Sequence, residues 1–198
     1  MKLLKRNISN WSDEDLILRY SSKQDNRCIE ELHNRYSRQI VGFFYKMLHH
    51  DEALAKDFTQ DVFIKVMERS HQFNAQYKFY TWLFTIASNH CKTHFSSWKE
   101  RQFTALSNEF DIQEAGNDIE KELDKPQLKK AIRNAYLELS FEHRSAFILR
   151  YNHQMTVKEI AEITQTKEGT IKSRIYHATK LVSEKVNPRI IQSKQSAT

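Results

Sequence analysis

The sequence predicts an all-α protein built as two small helical units joined by a flexible linker. Only 3 Gly and 2 Pro occur in 198 residues, which leaves little material for hairpin turns. Apolar residues recur at three- and four-residue steps along most of the chain, the helical period. One stretch, 102–125, breaks that period and carries 7 acids against 2 bases. These features give the expected organisation: a first unit over 10–101, an acidic linker over 102–125, a second unit over 126–186 and a disordered tail over 187–198.

Each element follows from local signals. Ser12 before Asp13-Glu14-Asp15 starts a helix to about Tyr20, because a hydroxyl cap precedes acids at the positive end of the helix dipole. A second helix, about Arg27 to Leu48, is marked by Cys28, Ile29, Leu32, Tyr36, Ile40, Phe43, Phe44 and Met47 on one stripe. Asp51-Glu52 starts a third, to about Ser70, with Leu54, Phe58, Val62, Val66 and Met67 inward. A polar stretch, His71 to Lys78, precedes a fourth helix over about Phe79 to Arg101. Pro126 suits a first helical turn, where its missing N–H costs nothing. Further helices are expected at Gln127–Leu139, Phe141–Tyr151, Val157–Thr164 and Glu168–Val186, with Pro188 ending the pattern.

Composition narrows function. The net charge of +6 is unevenly spread: 1–101 carries 16 bases and 12 acids, and 126–198 carries 13 bases and 6 acids. Two basic blocks about an acidic connector fit a polyanionic partner such as nucleic acid, although solvated surface charge has the same look. No window approaches a membrane span. The start, Met1-Lys2-Leu3-Leu4-Lys5-Arg6-Asn7, turns polar too early for a signal peptide. Cys28 and Cys91 read as reduced core thiols, which points to the cytoplasm. No Walker-type loop, nucleophile elbow or His-Glu-x-x-His occurs, so no enzyme and no cofactor is expected. His90, Cys91 and His94 lack the fourth ligand of a structural zinc site.

In the second half, Thr156-Val157-Lys158-Glu159 is a capping box. A short helix follows, then the break Gln165-Thr166-Lys167, in which Thr166 can cap the next helix. Ile171, Ile175, Ala178 and Leu181 of that helix face inward, and a polar, cationic set lies outside. A short helix, a tight turn and a longer basic helix is the helix-turn-helix plan, whose second helix enters a DNA major groove. With the upstream Leu139-Ser140-Phe141-Glu142-His143-Arg144-Ser145-Ala146-Phe147, this segment closely resembles the sigma-four domain of extracytoplasmic-function sigma factors, members of the sigma-70 family. Ser140 stands where the family usually has Pro. The resemblance implies recognition of the promoter's minus-thirty-five element, with Lys172, Ser173, Arg174 and His177 as principal contacts. Thr170 and Lys180 lie on the same outer face, and Arg144 and Lys167 are expected near phosphates.

In the first half, Glu52 to Val66 resembles the helix by which sigma-two domains grip the coiled coil of the polymerase's largest subunit. Asp57, Gln60, Asp61 and Lys65 form a polar stripe at helical spacing, and Phe63 belongs to the same candidate docking set. Without the resemblance, Asp57 and Asp61 read more readily as plain solvated acids. The loop His71 to Lys78 mixes aromatics, amides and a cation, groups able to stack and hydrogen-bond an unpaired base. Phe79 to Asn89 resembles the family's promoter-melting helix, with Trp82, Leu83 and Ile86 as core. The resemblance implies minus-ten contacts by Asn74, Tyr77, Lys78, Tyr80, Ser88, Asn89 and Lys92. Thr93 and Ser96 depart from the Asp and Arg usual there.

The expected function is therefore that of a sigma factor. Its partners would be core RNA polymerase, promoter DNA and an anti-sigma factor, and it would be a monomer when free. Two rivals remain: a stand-alone helix-turn-helix regulator, which predicts a dimer on a palindrome, and a nucleic-acid enzyme using Asp57 and Asp61 with a divalent ion, which predicts metal-dependent cleavage or transfer.

Overall fold

The computed structural model describes the backbone of residues 8–104 and 126–195, and the side chains of 8–95 and 131–186. Among the described residues there are eight α-helices and no strand. They are α1 (Asp13–Lys23), α2 (Asn26–Met47), α3 (Glu52–Glu68) and α4 (Phe79–Thr104), then α5 (Pro126–Glu138), α6 (Phe141–Tyr151), α7 (Val157–Thr164) and α8 (Glu168–Gln195). Short 3-10 turns at Ile8–Asn10 and Ser70–Gln72 complete the order. The acidic linker, apart from 102–104 at the end of α4, lies outside the described residues.

The caps explain most boundaries. Ser12 accepts the Asp15 N–H at 3.0 Å and opens α1. Asp51 accepts the Leu54 N–H at 2.9 Å and opens α3. Ser140, in place of the family's Pro, opens α6. Gln165 adopts a left-handed φ of 51° and ends α7, with the Thr166 N–H returning to the Ala161 carbonyl at 2.9 Å. Thr166 does not cap α8: its hydroxyl donates to the Thr164 carbonyl at 3.0 Å. The last helix passes through Pro188 to Gln195, beyond the expected stop. A proline removes one i→i−4 bond, and the bonds on either side can carry the helix past it.

Helices α1 to α4 form the first bundle, with α2 against α1 and α3, and α3 against α4. Helices α5 to α8 form the second, where α5 and α6 lie against α8. Instead of two separate cores, one apolar cluster runs through both units. It joins Phe43, Phe44, Leu83 and Phe84 to Ile148, Leu149, Ile160, Ile163 and Ile171. A smaller cluster of Tyr136, Leu139, Phe147 and Ala178 serves the outer side of the second unit. Four short helices bury too little apolar surface by themselves, and the faces of α6 and α7 find theirs on α2 and α4.

Arg144 clasps the junction. It is 3 % exposed. Its guanidinium donates to the Met47 carbonyl at 2.9 Å, to Leu139 at 3.2 Å and to Leu137 at 3.4 Å. These carbonyls lie at the C-terminal ends of α2 and α5, where helix carbonyls lack an internal partner and the dipole favours a cation. Burial pulls the guanidinium pKa down to about 10, which still leaves it charged at neutral pH. Truncation to Arg144→Ala removes three charge-assisted bonds and strands buried acceptors, so we expect a loss of about 3 kcal/mol in thermal or urea unfolding followed by circular dichroism.

Candidate nucleic-acid interface and docking face

Helix α3 presents an exposed stripe of Asp57, Gln60 and Asp61. Ile64, 52 % exposed, and Met67, 38 % exposed, extend it. Met67 therefore does not face inward as its spacing implied. Phe63 leaves the docking set, being 5 % exposed and packed on the His33 ring at 4.7 Å. Lys65 is half-buried and its Nζ meets His90 Nδ1, while His90 Nε2 lies 3.1 Å from Asp61. Burial, then the Lys65 charge, lower the His90 pKa, which favours a neutral imidazole between Lys65 and Asp61. No group of three His, Cys, Asp or Glu able to hold a metal ion occurs among the described residues.

The loop before α4 is organised by its own backbone. Asn74 accepts the Gln76 N–H at 2.9 Å, an Asx turn that uses its side-chain oxygen and leaves its amide donors free to face outward. Glu14 of α1 accepts the Phe79 N–H at 2.8 Å, so an acid sixty-five residues away caps α4 and fixes the loop's exit. Phe73 packs on Phe79 and Trp82, which anchors the loop to the core. Asn74, Tyr77, Asn89 and Lys92 are exposed. Ser88 is buried. Lys78 is ion-paired at 2.9 Å to Glu159 of α7. Tyr80 is partly covered, its hydroxyl 3.4 Å from His153 Nδ1, and burial pushes its pKa up to about 12.

Helix α8 turns Lys167, Thr170, Lys172, Ser173, His177 and Lys180 to solvent at or beyond its start. Ile171 and Ala178 are buried beneath them. Arg174 is partly covered and donates to Thr166 Oγ1 at 3.4 Å, which steadies the turn. Tyr176, a large apolar side chain, stands out on this face at 65 % exposure. Arg144 is not on it: the expected phosphate ligand is the buried clasp described above. The capping box of α7 is formed in full, Thr156 Oγ1 accepting the Glu159 N–H and Glu159 accepting the Thr156 N–H.

Sequence comparison agrees with this geometry. Residues 32–101 match sigma-70 region 2, and residues 129–182 match sigma-70, region 4. The RNA polymerase sigma factor YlaC of Bacillus subtilis is 31 % identical over 155 residues, covering 76 % of this chain and 87 % of that protein. This chain belongs to the sigma-70 family. The RNA polymerase sigma-H factor of Pseudomonas aeruginosa is 28 % identical, with 91 % of this chain and 97 % of that protein covered. The ECF RNA polymerase sigma-E factor of Escherichia coli is 27 % identical, with 92 % and 99 % covered. Extracytoplasmic-function sigma factors are thus among the proteins this chain resembles. The fold agrees with RpoE in its complex with the anti-sigma factor NepR from Bartonella quintana, at a TM-score of 0.61, 24 % identity and coverage of 85 % and 98 %. It agrees also with CnrH in complex with the cytosolic domain of CnrY, at 0.63, 17 % identity and coverage of 89 % and 97 %.

For this sigma-70 family member, the region 2 match spans the α3 stripe and the loop before α4, and the region 4 match spans the helix-turn-helix. Sequence reading missed Ile64 and Met67, although both fall at helical steps from Asp57, Gln60 and Asp61. It also missed Tyr176, which lies on the outer face with Lys172 and His177 by the same spacing. His90 carried no such signal, and Glu159 carried only its capping-box role, since Lys65, Asp61 and Lys78 lie on other segments of the chain.

The donated bond from Lys78, then the Thr156 backbone, hold the Glu159 carboxyl down to about 2. Its stabilising contribution is complete above its ordinary value of 4.5 and fades as the pH falls toward 2. We expect Glu159→Gln to flatten that part of the acid-denaturation curve. Thr156→Ala should cost about 1 kcal/mol in urea titrations, the usual worth of an N-cap.

Proposed function

We infer that the chain is a sigma factor that binds core RNA polymerase and directs promoter-specific transcription initiation. The observation that carries this reading is the joint presence, on one chain, of two outward faces. One is the acidic and apolar stripe of α3, and the other is the cationic, hydroxyl-bearing face of α8. The α3 stripe suits a basic helix pair, because Asp57 and Asp61 offer charge complementarity while Ile64 and Met67 offer apolar area. Lys65 and His90 brace Asp61 from behind.

On the DNA side, Lys172, Ser173, His177 and Lys180 would meet the minus-thirty-five major groove, with Thr170 and Lys167 toward the phosphates. Asn74, Tyr77, Lys78, Tyr80, Asn89 and Lys92 would capture minus-ten bases in single-stranded form, by stacking and by amide hydrogen bonds. The subunit makes and breaks no bond. Its place is the cytoplasm, where polymerase and chromosome are. Among the described residues no helix is long and apolar enough to cross a membrane. An anti-sigma factor is the natural third partner, in the manner of Bartonella RpoE solved with NepR. The free protein is read as a monomer.

Transcription in vitro, with purified core enzyme and a genomic promoter library, tests the reading. Initiation at promoters sharing two spaced elements is expected, and tight unaided binding to an inverted repeat without core enzyme is the opposite result. Lys172→Ala should weaken upstream-element binding by roughly 1–3 kcal/mol if its contact is to a base. Asp61→Arg should abolish recovery of core polymerase in a pull-down while leaving the circular dichroism spectrum unchanged.

A further inference from the structure

Two histidines lie at the junction of the units, and each unit lends one to the other. His50, in the turn after α2, stacks almost parallel to Tyr136 of α5 at 6.5 Å and lies edge-on to Tyr45 at 4.7 Å. His153, in the turn after α6, sits 4.6 Å from Phe84 and 6.1 Å from Phe43, with its Nδ1 toward the Tyr80 hydroxyl. The charged groups facing His50 are Arg133 of α5, Arg144 of α6, Lys46 of α2 and the neighbouring His49. Lys46 also faces His153, from which Tyr80 is the other titratable neighbour. No ion pair joins a carboxylate to either ring among the described residues.

At the same junction, Glu159 holds Lys78, His153 closes over Tyr80, and α7 lies along α4. We propose that the second unit is an intramolecular cover on the Tyr80 end of the minus-ten face, and that the packing of a buried His50 and a half-buried His153 across the junction makes the cover sensitive to protons. The word minus-ten rests on the function proposed above, whereas the closure itself does not.

The sign follows from burial. Both imidazoles are held down to about 3, first by burial and then by the cations around them, so the closed form accepts only neutral rings. Once the units part, the rings regain the ordinary histidine value of about 6.5. Closure is therefore at full strength above about pH 6.5 and weakens as the pH falls from there toward 3. Between pH 7.5 and 5.5 each histidine should lower the closed-to-open ratio about tenfold, and the pair about a hundredfold. The Lys78–Glu159 bridge survives this range, because Glu159 is held near 2.

Small-angle X-ray scattering on the full chain, paired with hydroxyl-radical footprinting of Tyr80, reads the cover without DNA or polymerase. The wild type should be compact with Tyr80 protected at pH 7.5, and expanded with Tyr80 reactive at pH 5.5. The double variant H50Q/H153Q should stay compact and protected at both. Unchanged scattering or unchanged protection of the wild type between the two pH values overturns the proposal, as does equal opening of the double variant. If the double variant loses its helical circular dichroism, the single variants decide: each should keep about one tenfold step, and a full response in both refutes the idea. A failure here leaves the transcription assay untouched, and a failure of that assay leaves the scattering result untouched.

Discussion

A single buried guanidinium between two helix ends organises this molecule. Arg144 reaches from α6 to the last carbonyls of α2 in one unit and of α5 in the other. Helix C-termini expose acceptors that water ordinarily satisfies, and bringing two such ends together in an apolar setting leaves them orphaned without a donor. Arginine supplies several N–H groups in one rigid plane, a geometry that a lysine ammonium does not reproduce. Around that donor, Phe95 lies against the guanidinium and the shared apolar cluster closes.

This junction decides which surfaces remain available. The stripe of α3 and the outer face of α8 are both left to solvent in the closed arrangement, so it leaves open the two faces proposed for docking and duplex recognition. The loop before α4 is treated differently. Its tip, with Asn74 and Tyr77, is open, while Lys78 and Tyr80 are engaged by the second unit. Glu159 has two roles in consequence: it completes the capping box that starts the helix-turn-helix and neutralises a cation of the other unit. A carboxylate shared in this way couples a local helix start to a long-range contact.

Much of the fold was legible because its signals are local. The helix starts at Ser12, Asp51, Ser140 and Thr156 depend on a hydroxyl or carboxylate three residues from an amide, and all four form. The same holds for the buried positions Ile171 and Ala178 of α8, which follow from a 3.6-residue period. Thr166 misled because α8 starts at Glu168, which puts Lys167 and not Thr166 at the cap position, and the Thr166 hydroxyl donates to the Thr164 carbonyl instead. Phe63 and Met67 misled because α3 packs on both α2 and α4, which widens its buried face to include Phe63, while Met67 near the end of the helix is left exposed.

By itself the sequence determined the helical class, the two-part order, the family and the outward faces of α3 and α8. The class, order and outward faces rest on spacing along single helices, and the family on the resemblance of residue motifs, and the chain contains both. Only the tertiary structure decided that the cores merge, that Arg144 is a clasp instead of a phosphate ligand, and that Glu159, His50 and His153 meet the opposite unit. Such pairings join residues up to ninety-seven positions apart. No periodicity encodes them: they arise when short helices that cannot bury enough apolar surface alone settle on one another, and nearby polar groups must then find partners.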